Sequence, residues 1–258
     1  MTPQLRGLTG RLDRTLVALD FDGVLAPIVP RPEDAVALPE TAGVLTAVAA
    51  RVAKVAVVTG RPAADAVRLG GLFEVPGLSV LGHYGLERWE NGRLSTPGAD
   101  DGVDSARRRV TELAAARPGV TVEDKGHSVA LHTRNAPDPA AALAELRPQA
   151  DAVAAAAGLQ VTPGRFVLEL RPVGMDKGVA IRALVAETGA SAVVYAGDDL
   201  GDLPAVAAVR SLAGDGVVGV VVCSDAEEAS AELRAAADVV VPGPPGVQAL
   251  LRELAALP

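Results

Sequence analysis

The stretch "LVALDFDGVLAPI", residues 16–28, decides the fold and raises the first question about function. It begins with four apolar residues, Leu16 to Leu19, and then reaches two aspartates, Asp20 and Asp22. An uninterrupted apolar run of this kind is typical of a strand buried on both faces of a parallel sheet. Carboxylates directly after such a strand repel each other and lose solvation, so we expect cationic groups beside them.

The composition limits the class of protein. A chain of 258 residues with 49% hydrophobic content is globular and forms one large domain or two modest ones. A net charge of -8 and 2% aromatic residues argue against nucleic acid or an anionic membrane as a partner. Cys223 is the only cysteine, and no apolar run approaches a membrane span. We therefore expect a cytoplasmic protein. A monomer or a weak oligomer is a separate expectation, which the composition does not decide.

Both ends of the chain show short apolar runs that alternate with helical patterns. The runs after the first are "KVAVVTG" (54–60), "LSVLG" (78–82), "AVVYAGDD" (192–199), "VVGVVVCSD" (217–225) and "ADVVVPG" (237–243). Strands that alternate with helices are typical of a parallel sheet covered on both faces. The pattern predicts an α/β fold with a doubly wound, mostly parallel, Rossmann-type core sheet formed by residues 1–86 and 173–258.

The middle of the chain has a different pattern. Hairpin signals alternate there with helical stretches: a turn at Asn91-Gly92, a helix at about 103–116, a strand pair joined near Lys125-Gly126, a helix at about 138–157, and a strand pair with a Pro163-Gly164 turn. These elements predict a smaller α+β domain inserted at residues 87–172.

Polar clusters follow three of the core strands. They are Asp20 with Asp22, Thr59-Gly60-Arg61, and Gly197-Asp198-Asp199 with Asp202. Ligands of open parallel sheets bind at the carboxyl ends of the strands, and several aspartates meeting there favour a hard cation such as Mg²⁺. The alternative is that these aspartates only cap helices and turns. Lys177 begins a helix and is one of only three lysines, which marks it as a functional candidate.

The order of these motifs resembles the haloacid dehalogenase superfamily of phosphatases. The matching residues are Asp-x-Asp-Gly at 20–23, Thr59, Lys177 and Gly-Asp-Asp-x-x-Asp at 197–202. The resemblance implies that Asp20 is a nucleophile that forms an aspartyl phosphate and that Asp22 is the general acid and base. It further implies that Thr59 and Lys177 hold phosphoryl oxygens. Mg²⁺ would be held by the Asp20 carboxylate, the Asp22 carbonyl and Asp198.

Longer blocks resemble the trehalose-6-phosphate phosphatase family, including "LDFDGVLAPIVPRPEDA" (19–35), "VEDKGHSVALHTR" (122–134) and "YAGDDLGDLPAV" (195–206). This resemblance implies a magnesium-dependent hydrolase that releases trehalose and phosphate from trehalose 6-phosphate. It makes the insert a cap domain that determines specificity. Residues that would contact the sugar or its phosphate are Arg61, Glu123, Lys125, Arg134 and Glu169.

Several alternatives stay open at this point. Related phosphatases act on sucrose 6-phosphate or mannosyl-3-phosphoglycerate, and a phospho-acceptor or regulatory domain without catalysis is a further possibility.

Gly201 and Leu203 stand where the family usually has Thr and Glu. His83 either contacts substrate or makes structural hydrogen bonds, and the roles of Asp199 and Asp202 are open. We expect Trp89 to anchor the insert and His132 to face outward.

Overall fold

The computed structural model describes residues 2–96, 101–226 and 230–258. They form two compact units, the first made of Met1–Thr96 with Asp176–Pro258 and the second of Pro97–Met175. Each unit has its own hydrophobic core, which is the property that defines a domain. No helix among the described residues is long and apolar enough to span a membrane.

The described residues contain twelve strands. They are β1 (Thr15–Leu19), β2 (Lys54–Val58), β3 (Ser79–Gly82), β4 (Glu87–Glu90), β5 (Arg93–Ser95), β6 (Thr121–Asp124), β7 (Val129–His132), β8 (Leu159–Gly164), β9 (Val167–Pro172), β10 (Ala192–Gly197), β11 (Val218–Ser224) and β12 (Val239–Val241). Nine α-helices lie in the same described parts of the chain. They are α1 (Pro3–Arg6), α2 (Thr41–Ala49), α3 (Ala63–Gly70), α4 (Asp101–Ala115), α5 (Pro139–Ala157), α6 (Lys177–Thr188), α7 (Leu203–Leu212), α8 (Ala231–Ala236) and α9 (Gly243–Ala255).

The first unit is built on an eight-stranded sheet with the order β12-β11-β10-β1-β2-β3-β4-β5. The pairs from β12 to β3 are parallel, as the apolar runs predict. Successive residues of β1 enter opposite cores: Val17 and Leu19 pack into one, and Leu16 and Ala18 into the other. Helices cover both faces, which explains why the run from 16 to 19 is apolar at every position.

One boundary differs from the sequence prediction. The sequence pattern predicts that the hairpin formed by β4 and β5 belongs to the insert, but β4 pairs antiparallel with β3 and extends the core sheet. Trp89 pairs with Val80, is buried in the core of the first unit, and meets the Phe73 ring edge-to-face at 6.4 Å. Trp89 therefore does not anchor the insert, and the second unit covers Pro97–Met175 instead of 87–172. An Asn-Gly pair predicts a hairpin turn but carries no information about which sheet the hairpin joins.

The second unit is an antiparallel sheet with the order β6-β7-β9-β8, and α4 and α5 pack on it. Val129, Leu131, Leu168 and Leu170 point into the core beneath the helices. The alternate positions of β7 and β9 carry His132, Glu169 and Arg171, and Glu169 and Arg171 are buried as well. The second hairpin turns at 165–166, because β8 runs to Gly164 and pairs there with Val167. The predicted turn at Pro163-Gly164 is therefore wrong by two residues.

Candidate active site

The sheet of the first unit brings three of the polar clusters to one edge. Asp20, Thr59 and Asp198 directly follow β1, β2 and β10, and β1 lies between the other two strands. Parallel neighbours end at the same edge, so the loops after these strands meet there. All three side chains are buried. The edge is therefore a desolvated polar site.

Lys177 brings a positive charge to this site. It is the first residue of α6, whose N-cap Asp176 accepts a hydrogen bond from the Val179 amide. Its Nζ lies 2.7 Å from Asp20 Oδ2 and 2.6 Å from Asp202 Oδ1. Burial lowers the pKa of Lys177, but the two carboxylates more than offset this and raise it well above its usual range. The ammonium is therefore held charged between two carboxylates.

Asp202, whose role the sequence left open, accepts four hydrogen bonds. Oδ1 accepts from Lys177 and from the Tyr195 hydroxyl, while Oδ2 accepts from the backbone amides of Asp198 at 2.8 Å and Asp199 at 3.1 Å. Burial alone raises the pKa of this carboxyl, but Lys177 and the other donors bring it below its usual value. Asp202 thus fixes both the lysine and the loop that carries Asp198.

Asp20, Asp198 and Asp202 each offer a carboxylate oxygen within 4.8 Å of the others. Burial raises the pKa of Asp20 well above its ordinary range, with Lys177 opposing the shift in part. Burial and the neighbouring carboxylates raise the pKa of Asp198 to about 10. Two desolvated carboxylates of this kind fit a hard divalent cation, since a cation offsets their repulsion. Because the donors around Asp202 already occupy it, Asp20 and Asp198 are the carboxylates suited to a metal.

The surroundings of Gly23 explain why the Asp-x-Asp-Gly motif ends in glycine. Its φ is +70°, and a Cβ at this position would lie 2.2 Å from Asp198 Oδ2. The Ser224 hydroxyl, at the end of β11, donates to the Gly23 carbonyl at 2.5 Å. The loop after β1 therefore passes directly against the Asp198 carboxylate, and only glycine allows this approach.

Asp22 lies near this cluster in sequence, but its carboxylate has another partner. Arg61 donates to Asp22 Oδ2 through Nε and to Oδ1 through an Nη, both at 2.7 Å. Arg61 also donates to the Pro32 carbonyl at 2.8 Å and covers the Phe21 ring at 5.4 Å. The carboxylate cluster therefore contains Asp202 and not the Asp22 carboxylate, whereas the predicted metal ligand at Asp22 is its backbone carbonyl. Its carbonyl, the atom implied by the resemblance, stays a prediction as a ligand.

The loop that carries Thr59 and Arg61 is held by the turn after β3. The amides of Tyr84 and His83 donate to the carbonyls of Thr59 and Arg61 at 2.9 and 3.0 Å. Both turn residues have positive φ, +61° for Tyr84 and +47° for His83, a conformation that costs L-residues free energy. A Cβ on Gly60 would lie 2.7 Å from the Tyr84 hydroxyl oxygen. The turn therefore determines where Thr59 and Arg61 lie.

His83 is only 1% exposed, and its Nε2 lies 3.8 Å from Glu87 Oε1. Glu87 Oε2 accepts a hydrogen bond from the Ala63 amide at the start of α3. This burial favours the structural alternative for His83. Asp199 likewise has a local role, because its side chain accepts from the Gly201 amide and caps the turn before α7. Gly201 is the middle residue of that turn, Leu200–Asp202, and Leu203 is the first residue of α7.

The second unit brings together three of its predicted substrate residues. Lys125 Nζ lies 3.5 Å from Glu169 Oε2 and 3.9 Å from Glu123 Oε2. Glu123 and Glu169 both pair with Ala130 across neighbouring strands, so they share one face of the sheet. Arg134 follows β7 and is exposed, and its role stays a prediction.

The cluster contains two further residues that the sequence analysis does not assign to it. The Ser128 hydroxyl donates to Glu169 Oε1 at 2.6 Å, and His132 Nε2 lies 2.8 Å from Glu123 Oε2. The expectation that His132 simply faces outward is therefore wrong, because it is half-buried against Glu123. The signal was present, since residues 128, 130 and 132 alternate with apolar ones and thus share the polar face.

Comparison with known proteins identifies the family. The model for "Trehalose-phosphatase" matches residues 18–239. The chain belongs to the trehalose-phosphatase family. A trehalose-phosphate phosphatase from Mycobacterium avium is 38% identical over 79% of this chain, and an uncharacterized glycosyl hydrolase from Mycobacterium tuberculosis is 37% identical over 83%. The chain spans 53% of the first relative and 16% of the second.

The fold of this trehalose-phosphatase family member matches solved structures. The C-terminal domain of the Candida albicans trehalose-6-phosphate phosphatase superposes with a TM-score of 0.79 at 19% identity, covering 100% of this chain and 96% of that domain. The likeness confirms the predicted fold class, an α/β core with a mostly parallel sheet and a smaller α+β domain inserted.

Proposed function

We propose that the chain is a phosphatase that hydrolyses trehalose 6-phosphate to trehalose and phosphate. The observation that carries the proposal is the buried contact between Asp20 and Lys177, beside Asp198, in a member of the trehalose-phosphatase family. A carboxylate held by an ammonium at the end of a central strand suits covalent phosphoryl transfer, which divides one difficult displacement into two easier ones. The name of the relative from Mycobacterium avium supports the same substrate.

In the first step a carboxylate oxygen of Asp20 attacks the phosphorus, and the bond from phosphorus to the sugar oxygen breaks. Asp22 gives its proton to the departing sugar oxygen, which leaves as the trehalose hydroxyl. In the second step Asp22 takes a proton from water, the water oxygen attacks the phosphorus, and Asp20 is released with inorganic phosphate. Lys177 and Thr59 hold phosphoryl oxygens during both steps, and their burial strengthens these contacts.

The carboxylates of Asp20 and Asp198 fit a resident Mg²⁺, and the Asp22 carbonyl would complete the set supplied by the protein. When bound, the ion neutralises charge on the phosphoryl oxygens. Arg61 acts on the Asp22 carboxylate and not on the metal. Because it binds both oxygens of Asp22, it has to release at least one of them before that oxygen can reach the leaving group.

The polar face of the second unit is the proposed sugar site. Glu123 and Glu169 accept hydrogen bonds, and Lys125 between them donates, so the group can pair with several sugar hydroxyls. Polar groups that a bound sugar covers discriminate against substrates that lack the matching hydroxyls, because the groups would then lose water without gaining a partner.

The test is phosphate release from a panel that includes trehalose 6-phosphate, sucrose 6-phosphate, mannosyl-3-phosphoglycerate and p-nitrophenyl phosphate, with and without Mg²⁺. We expect trehalose 6-phosphate to give the highest kcat/KM, with activity lost on chelation. Preference for another sugar phosphate would refute the substrate but keep the reaction. Release from none of them would favour the regulatory alternative. The cytoplasmic location and the monomeric or weakly oligomeric state stay predictions.

A further inference from the structure

Tyr195 is a residue of the site that no motif comparison assigned. It is the fourth residue of β10, it is fully buried, and its neighbours along the strand are Val and Ala. Its ring packs in the core on the α6 and α7 side of the sheet. A tyrosine hydroxyl buried in an apolar core is costly unless it finds a hydrogen-bond partner. The partner of this hydroxyl is Asp202 Oδ1.

Asp202 Oδ1 is also the atom that binds the lysine, since Lys177 Nζ lies 2.6 Å from it. The same ammonium lies 2.7 Å from Asp20 Oδ2, so two carboxylates compete for one cation. A second donor on Oδ1 withdraws charge from that oxygen and weakens its hold on the ammonium. The Tyr195 hydroxyl therefore shifts this balance toward Asp20, the side on which a phosphoryl group would bind.

We infer that Tyr195 is a positioning residue for the reaction: its hydroxyl acts through Asp202 to keep Lys177 directed at Asp20. The inference rests on the proposed phosphatase function, and it adds a group that never touches the substrate. It also separates Asp202 from the metal. Oδ2 is occupied by two backbone amides and Oδ1 by Lys177 and Tyr195, so Asp202 acts on the lysine.

The first test is Tyr195→Phe in the full chain, which removes one oxygen and keeps the ring. We expect kcat to fall about tenfold on both p-nitrophenyl phosphate and trehalose 6-phosphate, because the phosphoryl chemistry is common to both, with KM within about twofold. The loss should persist at saturating Mg²⁺. Thr15→Val is the matched control, since it removes another buried hydroxyl, bonded to the Arg11 carbonyl at 2.9 Å and remote from the site in β1.

The second test is a pair of double-mutant cycles. If Tyr195 acts through Asp202 on Lys177, then Tyr195→Phe should change kcat by less than about twofold in an Asp202→Asn background and in a Lys177→Met background. A role in packing alone would give the same loss in every background. Two backgrounds are used because Asp202→Asn also weakens the bonds to two amides, so a folding defect in one variant leaves the other cycle intact.

Three results would overturn the inference: Tyr195→Phe with wild-type kcat, an undiminished loss in both backgrounds, or recovery when Mg²⁺ is raised, which would connect Tyr195 to the metal. Using p-nitrophenyl phosphate keeps this test separate from the substrate proposal. A chain that hydrolyses p-nitrophenyl phosphate but no sugar phosphate would refute the proposed substrate, while the cycles on Tyr195 would still decide its role.

Discussion

Gly23→Ala probes the contact between the loop after β1 and the Asp198 carboxylate. The new Cβ would lie 2.2 Å from Asp198 Oδ2, whereas non-bonded heavy atoms pack at roughly 3.5 Å, so the carboxylate or the loop must move by about 1 Å. A displacement of about 1 Å among the groups of an active site lowers the rate by about 10²-fold. The positive φ of +70° adds roughly 1 kcal/mol of lost stability.

Gly10→Ala is the control for the backbone term alone. Gly10 has a φ of +79°, but a Cβ there would meet nothing within 4 Å. We therefore expect Gly10→Ala to lose only the backbone term of the free energy of unfolding in urea and Gly23→Ala to lose at least as much, because its Cβ also displaces Asp198. Only Gly23→Ala should lose kcat and need more Mg²⁺ for half-maximal activity. Steady-state rates on p-nitrophenyl phosphate over a Mg²⁺ titration measure both quantities. Gly23→Ala with kcat within threefold of the wild type, or an equal rate loss in Gly10→Ala, would refute the reasoning.

Three further predictions follow from the same site and from the second unit. Asp20→Asn should keep the fold and lose turnover by more than about 10³-fold, since an amide is a poor nucleophile; circular dichroism and phosphate release check this. Glu123→Ala or Lys125→Ala should lower kcat/KM for trehalose 6-phosphate by roughly 10²-fold, about 3 kcal/mol, and leave p-nitrophenyl phosphate hydrolysis unchanged. Burial raises the pKa of Asp198 from 3.8 to about 10. At a pH between these two pKa values the folded metal-free chain keeps a proton on Asp198 that the unfolded chain releases. The free energy of unfolding therefore falls as pH rises through this range. Thermal unfolding of the metal-free protein at pH 5 and pH 8 should show this loss, Mg²⁺ should stabilise more at pH 8, and Asp198→Asn should remove much of the slope.

Each of these has an outcome against it. Asp20→Asn with activity within tenfold of the wild type would remove the nucleophile assignment. Equal losses on both substrates in Glu123→Ala would mean that the residue supports the second unit rather than the sugar. An equally steep loss of stability with pH in the metal-free wild type and in Asp198→Asn would show that the Asp198 carboxyl is not the source.

The amino-acid sequence by itself determined the strands and the order of the motifs. An apolar run that ends in a carboxylate is a local feature, so β1 and the position of Asp20 could be identified without any partner strand. The same holds for α6, where Asp176 caps a helix that begins at Lys177 and ends before Gly189. Such elements follow from residues within about ten positions of each other, and their local preferences agree with the final fold.

Tertiary structure alone decided which groups meet. The hairpin after Gly82 joins the core sheet because β3 offers it an open edge, which the Asn-Gly turn does not reveal. The ion pairs of Asp22 with Arg61 and of Lys177 with Asp202 connect residues on different strands and loops, so they depend on β1 lying between β10 and β2. From the sequence alone, Tyr195 is an ordinary side chain of a buried strand. Its role depends on a single oxygen of Asp202, and the pairing of a buried donor with one acceptor is set by packing in three dimensions, since periodicity determines only the face on which a side chain lies.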